Sequence, residues 1–178
     1  MYIEGINPTR VLTAADLPPP VNAPQPLPDA GGESLALGTV GRDQTGNAYI
    51  LLQSAAAIAV QGQAILWDAA YVVTEITTAL LTGPPLRGGR PLAFNFGLPT
   101  AAGQRFWALT AGQGPVRVLA SAVANARLNS TATSGVLDDD GTAGSFVIEG
   151  VTLTVTNGGA PASVNAILRD PHVGDRVL

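Results

Sequence analysis

One histidine, His172, stands in the run RDPHVGD, and it is the first candidate for acid–base or nucleophilic chemistry. A Ser–His–Asp site would need a serine presented on a strained turn of the G-x-S-x-G kind, and the chain has no such stretch. "DPH" reads as a turn, which places His172 at the surface or an interface. With a single histidine and no cysteine there is no ligand set for zinc. The absence of cysteine also excludes thiolate chemistry and disulfides.

The glycines of AGQGP (111–115) are the next candidate, as a phosphate cradle. A dinucleotide loop needs a third glycine and a following helix whose N–H groups face the phosphates. Here Gly114 is followed by Pro115, which has no N–H, and then by VRVLA, which reads as a strand. A Walker loop needs Gly-Lys, and all nine basic residues are arginine. The expectation is a hairpin turn of about five residues, with the glycines supplying positive φ.

LDDDGTAGS (137–145) is the one acidic cluster. Asp138, Asp139 and Asp140 are the candidate ligands for a hard cation such as Ca²⁺. Their spacing lacks the alternating ligands and distant bidentate glutamate of a calcium loop, and Asp-Gly is itself a turn signal, so a solvated turn is the favoured reading. Trp67 and Trp107 are the candidate stacking platforms for a sugar or base. Aromatics make up only 5% of the chain, with no basic residue beside either, which favours the core or an interface. No cofactor is expected.

The elements that would position these residues are β-strands. Over 178 residues, 46% are apolar but only 12% charged, about half the usual charged share. Short apolar runs punctuated by Gly, Asn, Asp and Pro begin at residue 35: LALGTV, AYILLQS (48–54), QAILW (63–67), RPLAFNF (90–96), RFWALT (105–110), PVRVLAS (115–121), SFVIEG (145–150), VTLTVT (151–156) and SVNAILR (163–169). The expected fold is mainly β, a small antiparallel barrel or sandwich spanning residues 36–178. Residues 65–80 carry apolar residues at helical spacing as well, but YVVTEITT is rich in β-branched residues. Two strands around a turn near Asp68 are favoured there, with a helix as the rival. Alternation along RFWALT puts Phe106 and Trp107 on opposite faces, so Phe106 is expected inside and Trp107 near the loops or an interface.

Residues 1–35 differ in kind. LPPPVNAPQPLPDAGG (17–32) is too rich in proline for a helix or an interior strand, and reads as an extended arm ending in a Gly-Gly joint. Val11, Leu12, Leu17, Pro19, Val21 and Leu27 give it an apolar character that suits docking better than solvation, so these six are interface candidates together with Trp107. The arm is expected to stay outside the β core. A net charge of −4 with scattered arginines offers no field for nucleic acid. The most apolar stretch, residues 50–81, is interrupted by Gln53, Gln61, Gly62, Gln63, Asp68 and Glu75 and falls short of the roughly 20 apolar residues of a membrane helix. The first residues lack the pattern of a secretory signal, so a soluble protein made in a cytoplasm is expected.

Three stretches together carry a family resemblance: GTVGRDQTGNAYILLQSAAAIAVQGQAILWD (38–68), FWALTAGQGPVRVLASAVANARL (106–128) and TATSGVLDDDGTAG (131–144). Their order of Gly, Tyr, Trp and Val resembles that of the head decoration (cement) proteins of tailed bacteriophages, over most of residues 36–170. The Pro-rich arm and the stretch LTGPPLRGGRPLAFNFGLPTAAGQ (81–104) depart from that pattern. The resemblance implies a non-enzymatic virion protein on the capsid exterior, synthesised in the host cytoplasm. It also implies binding to the major capsid protein, often as a homotrimer, at three-fold positions. The competing expectations are a head fibre, spike or tail component of a phage and, from another class, a carbohydrate-binding β-sandwich.

Overall fold

The two apolar runs flanking AGQGP form one strand, Arg105–Val118, and this strand organises the molecule. The structure is a computed structural model and describes residues 2–4, 27–28, 34–82 and 89–178. In chain order the strands are β1 (Tyr2–Glu4), β2 (Leu27–Pro28), β3 (Ser34–Leu35), β4 (Val40–Arg42), β5 (Ala48–Ser54), β6 (Ala64–Trp67) and β7 (Val72–Glu75). After the five-residue helix α1 (Thr78–Thr82) come β8 (Ala93–Asn95), β9 (Arg105–Val118), β10 (Leu128–Ser130), β11 (Leu137–Asp138), β12 (Phe146–Leu153) and β13 (Ala162–Arg176). The protein is mainly β, as its sequence leads one to expect.

Strand pairing closes twice. β5, β7, β6, β8 and β9 follow one another as neighbours, and β9 returns to β5 through Leu51↔Trp107 and Leu52↔Phe106. Beyond residue 110 the same strand leads into a second ring, β9, β11, β10, β12 and β13, closed by eight consecutive β13–β9 partners from Ala162↔Val118 to Arg169↔Ala111. Closure leaves β4 as an outlying strand, paired antiparallel to β5 on one side and parallel to β1 on the other. The parallel pairs β1–β4, β5–β7 and β9–β11 make the sheet mixed rather than purely antiparallel.

The hairpin expected at AGQGP is therefore corrected. Gly112 does take a positive φ (111°), but as a bend inside β9, where a Cβ would run into the Asn47 side chain. Asn47 uses its Oδ1 to accept the Gln113 N–H at 2.8 Å. Pro115 is tolerated because it opens a break in one side of the ladder only; its neighbours still pair with β13. "DPH" is corrected in the same way: Asp170 (φ 48°) bends β13 without ending it, opposite Gly150 (φ 76°) in β12. β12 also joins two runs that read as separate strands, VIEG and VTL, across that glycine. Positive-φ residues are turn signals in an open sheet, but in a closed ring they are the points at which long strands curve.

The choice between strands and helix at 65–80 falls to strands. β6 and β7 flank Asp68, whose Oδ1 accepts the N–H groups of Ala70 (2.9 Å) and Val72 (3.0 Å) and so builds the turn. Helical spacing survives only in α1, which buries Leu81.

Two apolar clusters result. Ile50, Leu52, Ile65, Val73, Ala93, Phe106 and Ala108 come from all five strands of the first ring and gather with Ile58 into the smaller one. The opposite faces of the same strands (Tyr49, Leu51, Leu66, Phe94, Trp107, Leu109) join Val116, Leu128, Ile148, Leu168 and other residues of the second ring in the larger one. Phe106 and Trp107 do face opposite ways, as alternation requires. Both are nevertheless interior, at 0% and 3% exposure, so Trp107 is removed from the interface candidates. The sheet has a core on each side there, and a position facing away from one core enters the other.

Only short pieces of the arm are described. Val11, Leu12, Leu17, Pro19 and Val21 lie outside the described residues, but Tyr2–Glu4 pair with β4 and Leu27–Pro28 pair with Ser34–Leu35. The proline-free YIE suits an outlying strand, which needs a ladder on one side only. Leu35, placed last in the arm from sequence, is 1% exposed in the larger cluster.

Candidate functional site

Where β12 and β13 bend, the register sets Glu149 directly opposite His172. His172 Nε2 lies 3.1 Å from Glu149 Oε2, and its Nδ1 lies 3.0 Å from the Asp170 carbonyl oxygen. Both neighbours are acceptors, so both bonds form only when both ring nitrogens carry protons. Among the described residues the hydrogen bonds of this ring run to Glu149 and the Asp170 carbonyl, and none runs to a hydroxyl. Glu149 could not be picked out from sequence: it is 23 residues from His172, and the register that joins them crosses the bend at Asp170 that reads as a turn.

His172 borders a groove of about 510 Å³ with Trp67, Pro91, Leu92, Thr110 and Pro171. Two contacts build its walls. Pro91 bridges to His172, and the Arg90 guanidinium donates to the Trp67 carbonyl at 2.9 Å, tying the β6 end to the approach to β8. Trp67 is partly buried against the smaller cluster, so only part of its indole lines the groove. The two sequence candidates Trp67 and His172 thus meet, whereas Trp107 and the aspartates lie elsewhere.

The aspartates serve a turn. Asp138 ends β11; its Oδ1 accepts the Asp139 N–H (3.0 Å), and Asp139 Oδ2 accepts the Val123 N–H (3.1 Å). Burial raises the Asp138 pKa above the ordinary carboxylate range, and the neighbouring charges of Asp139 and Asp140 push it the same way. Among the described residues, no three His, Asp or Glu side chains converge as a metal site would require.

The polar turn GRDQTGN (41–47), which reads from the sequence only as a connection between LALGTV and AYILLQS, is far more organised around Asp43. Asp43 Oδ1 accepts the N–H and hydroxyl of Thr45 (2.9 and 2.7 Å) and the Asn47 N–H (3.0 Å). Its Oδ2 accepts from Asn47 Nδ2 (3.1 Å) and the Tyr49 hydroxyl (3.0 Å). Burial pushes the Asp43 carboxyl up, but these bonds outweigh it and hold its pKa below the ordinary value. Burial and the Asp43 carboxylate together raise the Tyr49 phenol. Asn47 then reaches Gln113, so this network braces the bend of β9.

Other interior amides act likewise. Asn95, fully buried, donates to the carbonyls of Val60 (3.0 Å) and Gly97 (3.1 Å) and accepts from the Gln63 N–H (2.7 Å). Asn157 donates to Leu119 (2.6 Å) and Ala160 (2.9 Å). Among the described residues, every buried side-chain N or O atom has a partner. No helix among them is long and apolar enough to cross a membrane. No family profile, curated protein or solved structure matches the chain.

Proposed function

We propose that the protein is a structural component of a tailed-phage particle, binding the outer surface of the capsid and reinforcing contacts between major capsid subunits without catalysing a reaction. One observation carries the non-catalytic part: the polar side chains that could do chemistry are held by the scaffold. Asp43, Asn95 and Asn157 are engaged in bonds that fix loops and bends, and the His172 ring lies against Glu149 and the Asp170 carbonyl. The capsid part rests on the ordered sequence resemblance over residues 36–170. A doubly closed β body fits such a role, because a preorganised block binds with little ordering cost. Reinforcement would come from buried area, with standard interfaces of ~1,600 Å² repeated around a three-fold axis by a homotrimer.

The test is cosedimentation of purified protein with expanded shells assembled from the major capsid protein of the same genome, if that genome encodes one. Saturable binding in multiples of three per three-fold position is expected; protein left in the supernatant at every concentration would refute the proposal. A carbohydrate-binding role has one observation in its favour, the exposure of part of Trp67 in a groove beside His172 and Thr110. Glycan-array binding abolished by Trp67→Ala would favour that role instead.

A further inference from the structure

The outlying strand β4 is completed by a segment distant in sequence. β1 pairs with it in parallel, Tyr2↔Val40, Ile3↔Gly41 and Glu4↔Arg42, and among the described residues β1 stands at the end of the sheet order with no second strand beside it. The other side of β4 is taken by β5. Without β1, the outer N–H and C=O groups of β4 would form an open edge of the kind that accepts a strand from another chain.

We infer that β4 is an exchange site, which takes β1 from its own chain in the isolated protein and from a second copy when copies are crowded together. Both arrangements make the same three-residue ladder, so their balance depends on chain length and local concentration rather than on different contacts. The body is anchored from Leu35 onward, where that side chain enters the core and its carbonyl accepts from Arg105 at 3.3 Å. Between Glu4 and Leu27 the 22 residues 5–26 can span up to ~75 Å at about 3.3 Å per residue, enough to reach a neighbouring body of this size. A covalent tether of that reach sets an effective concentration that falls as its length grows. Neighbours packed on a surface reach a similar range, and exchange then links copies in series. The inference needs only a second copy, so it stands or falls independently of capsid binding.

The chain has no cysteine, so introduced thiols report cleanly. Val40 is 38% exposed, and V40C leaves both clusters intact. Single variants Y2C and V40C with different affinity tags are mixed at rising concentration and treated with a short bis-maleimide. The double variant Y2C/V40C is treated in parallel. Mixed Y2C–V40C dimers should exceed either like-with-like dimer at least several-fold and grow with concentration, while the dilute double variant closes within one chain. Two results would overturn the inference. One is intrachain closure at every concentration with mixed dimers no more abundant than like-with-like ones; the other is no link between positions 2 and 40 in either experiment.

Discussion

β9 belongs to two rings that use their strands differently. In the first, neighbouring residues along a strand are buried alike: Tyr49 to Leu52 on β5 and Phe106 to Leu109 on β9 are interior without alternation. In the second, β13 alternates over residues 163–168, with Ile167 at 40% exposure beside Leu168 at 2%. In the first ring β5 and residues 106–109 of β9 are covered on both faces, whereas β13 in the second meets solvent on one. Burial on both faces makes a strand intolerant of change, whereas an alternating strand offers a face on which residues can vary without disturbing the fold.

Adjacent truncations test this difference with the largest expected effects. Phe106→Ala and Trp107→Ala should each cost ~3–5 kcal/mol in denaturant titrations, since each empties a different cluster. On β13, Leu168→Ala should cost ~2–4 kcal/mol while Ile167→Ala stays within about 0.5 kcal/mol. Equal costs at 167 and 168, or a tolerant position at 106 or 107, would break the comparison.

The bends give the next effect. At Gly150 a Cβ would meet the backbone oxygens of Arg169 and Asp170, and φ is positive, so Gly150→Ala should cost ~2–4 kcal/mol. Gly158 has open space around it and an ordinary φ, so Gly158→Ala should be near neutral by thermal melting.

The smallest effects have opposite signs in the two acidic turns. Asp43 has a lowered pKa: the stability it contributes is complete above the ordinary carboxylate range and lost as pH falls through the lowered folded value. Asp43→Asn should therefore destabilise by about 1 kcal/mol at pH 7, solvent screening holding it to that level, and the deficit should shrink in acid. Asp138 is raised: its contribution is complete below the ordinary carboxylate range and lost as pH rises through the raised value. Asp138→Asn keeps an Oδ1 acceptor for the Asp139 N–H and should match or slightly exceed the native melting temperature at pH 7, with that advantage gone in acid. Melting curves of both variants from pH 3 to 8 check the signs.

These contrasts also explain what could be read from the sequence. The strands of the first ring stand out as apolar runs because burial on both faces removes polar residues from AYILLQS and AILW. The second ring was divided wrongly at Gly112, Gly150 and Asp170, residues that carry the φ of a turn but sit where ring closure requires curvature. β10 and β11 were missed because three and two residues give no period to detect. Of the groove, Trp67 and His172 could be named by type, but their meeting depends on the Pro91–His172 bridge and the β12–β13 register, both non-local.

Reinforcement of a capsid is the central claim, and thermal disruption of shells tests it most directly. Expanded capsid shells that bind the protein are heated with and without a saturating amount of it, and release of subunits is followed by calorimetry. Reinforcement would raise the disruption temperature by several degrees with the protein bound, a gain lost when it is omitted. An unchanged disruption temperature in shells to which the protein is demonstrably bound would contradict it.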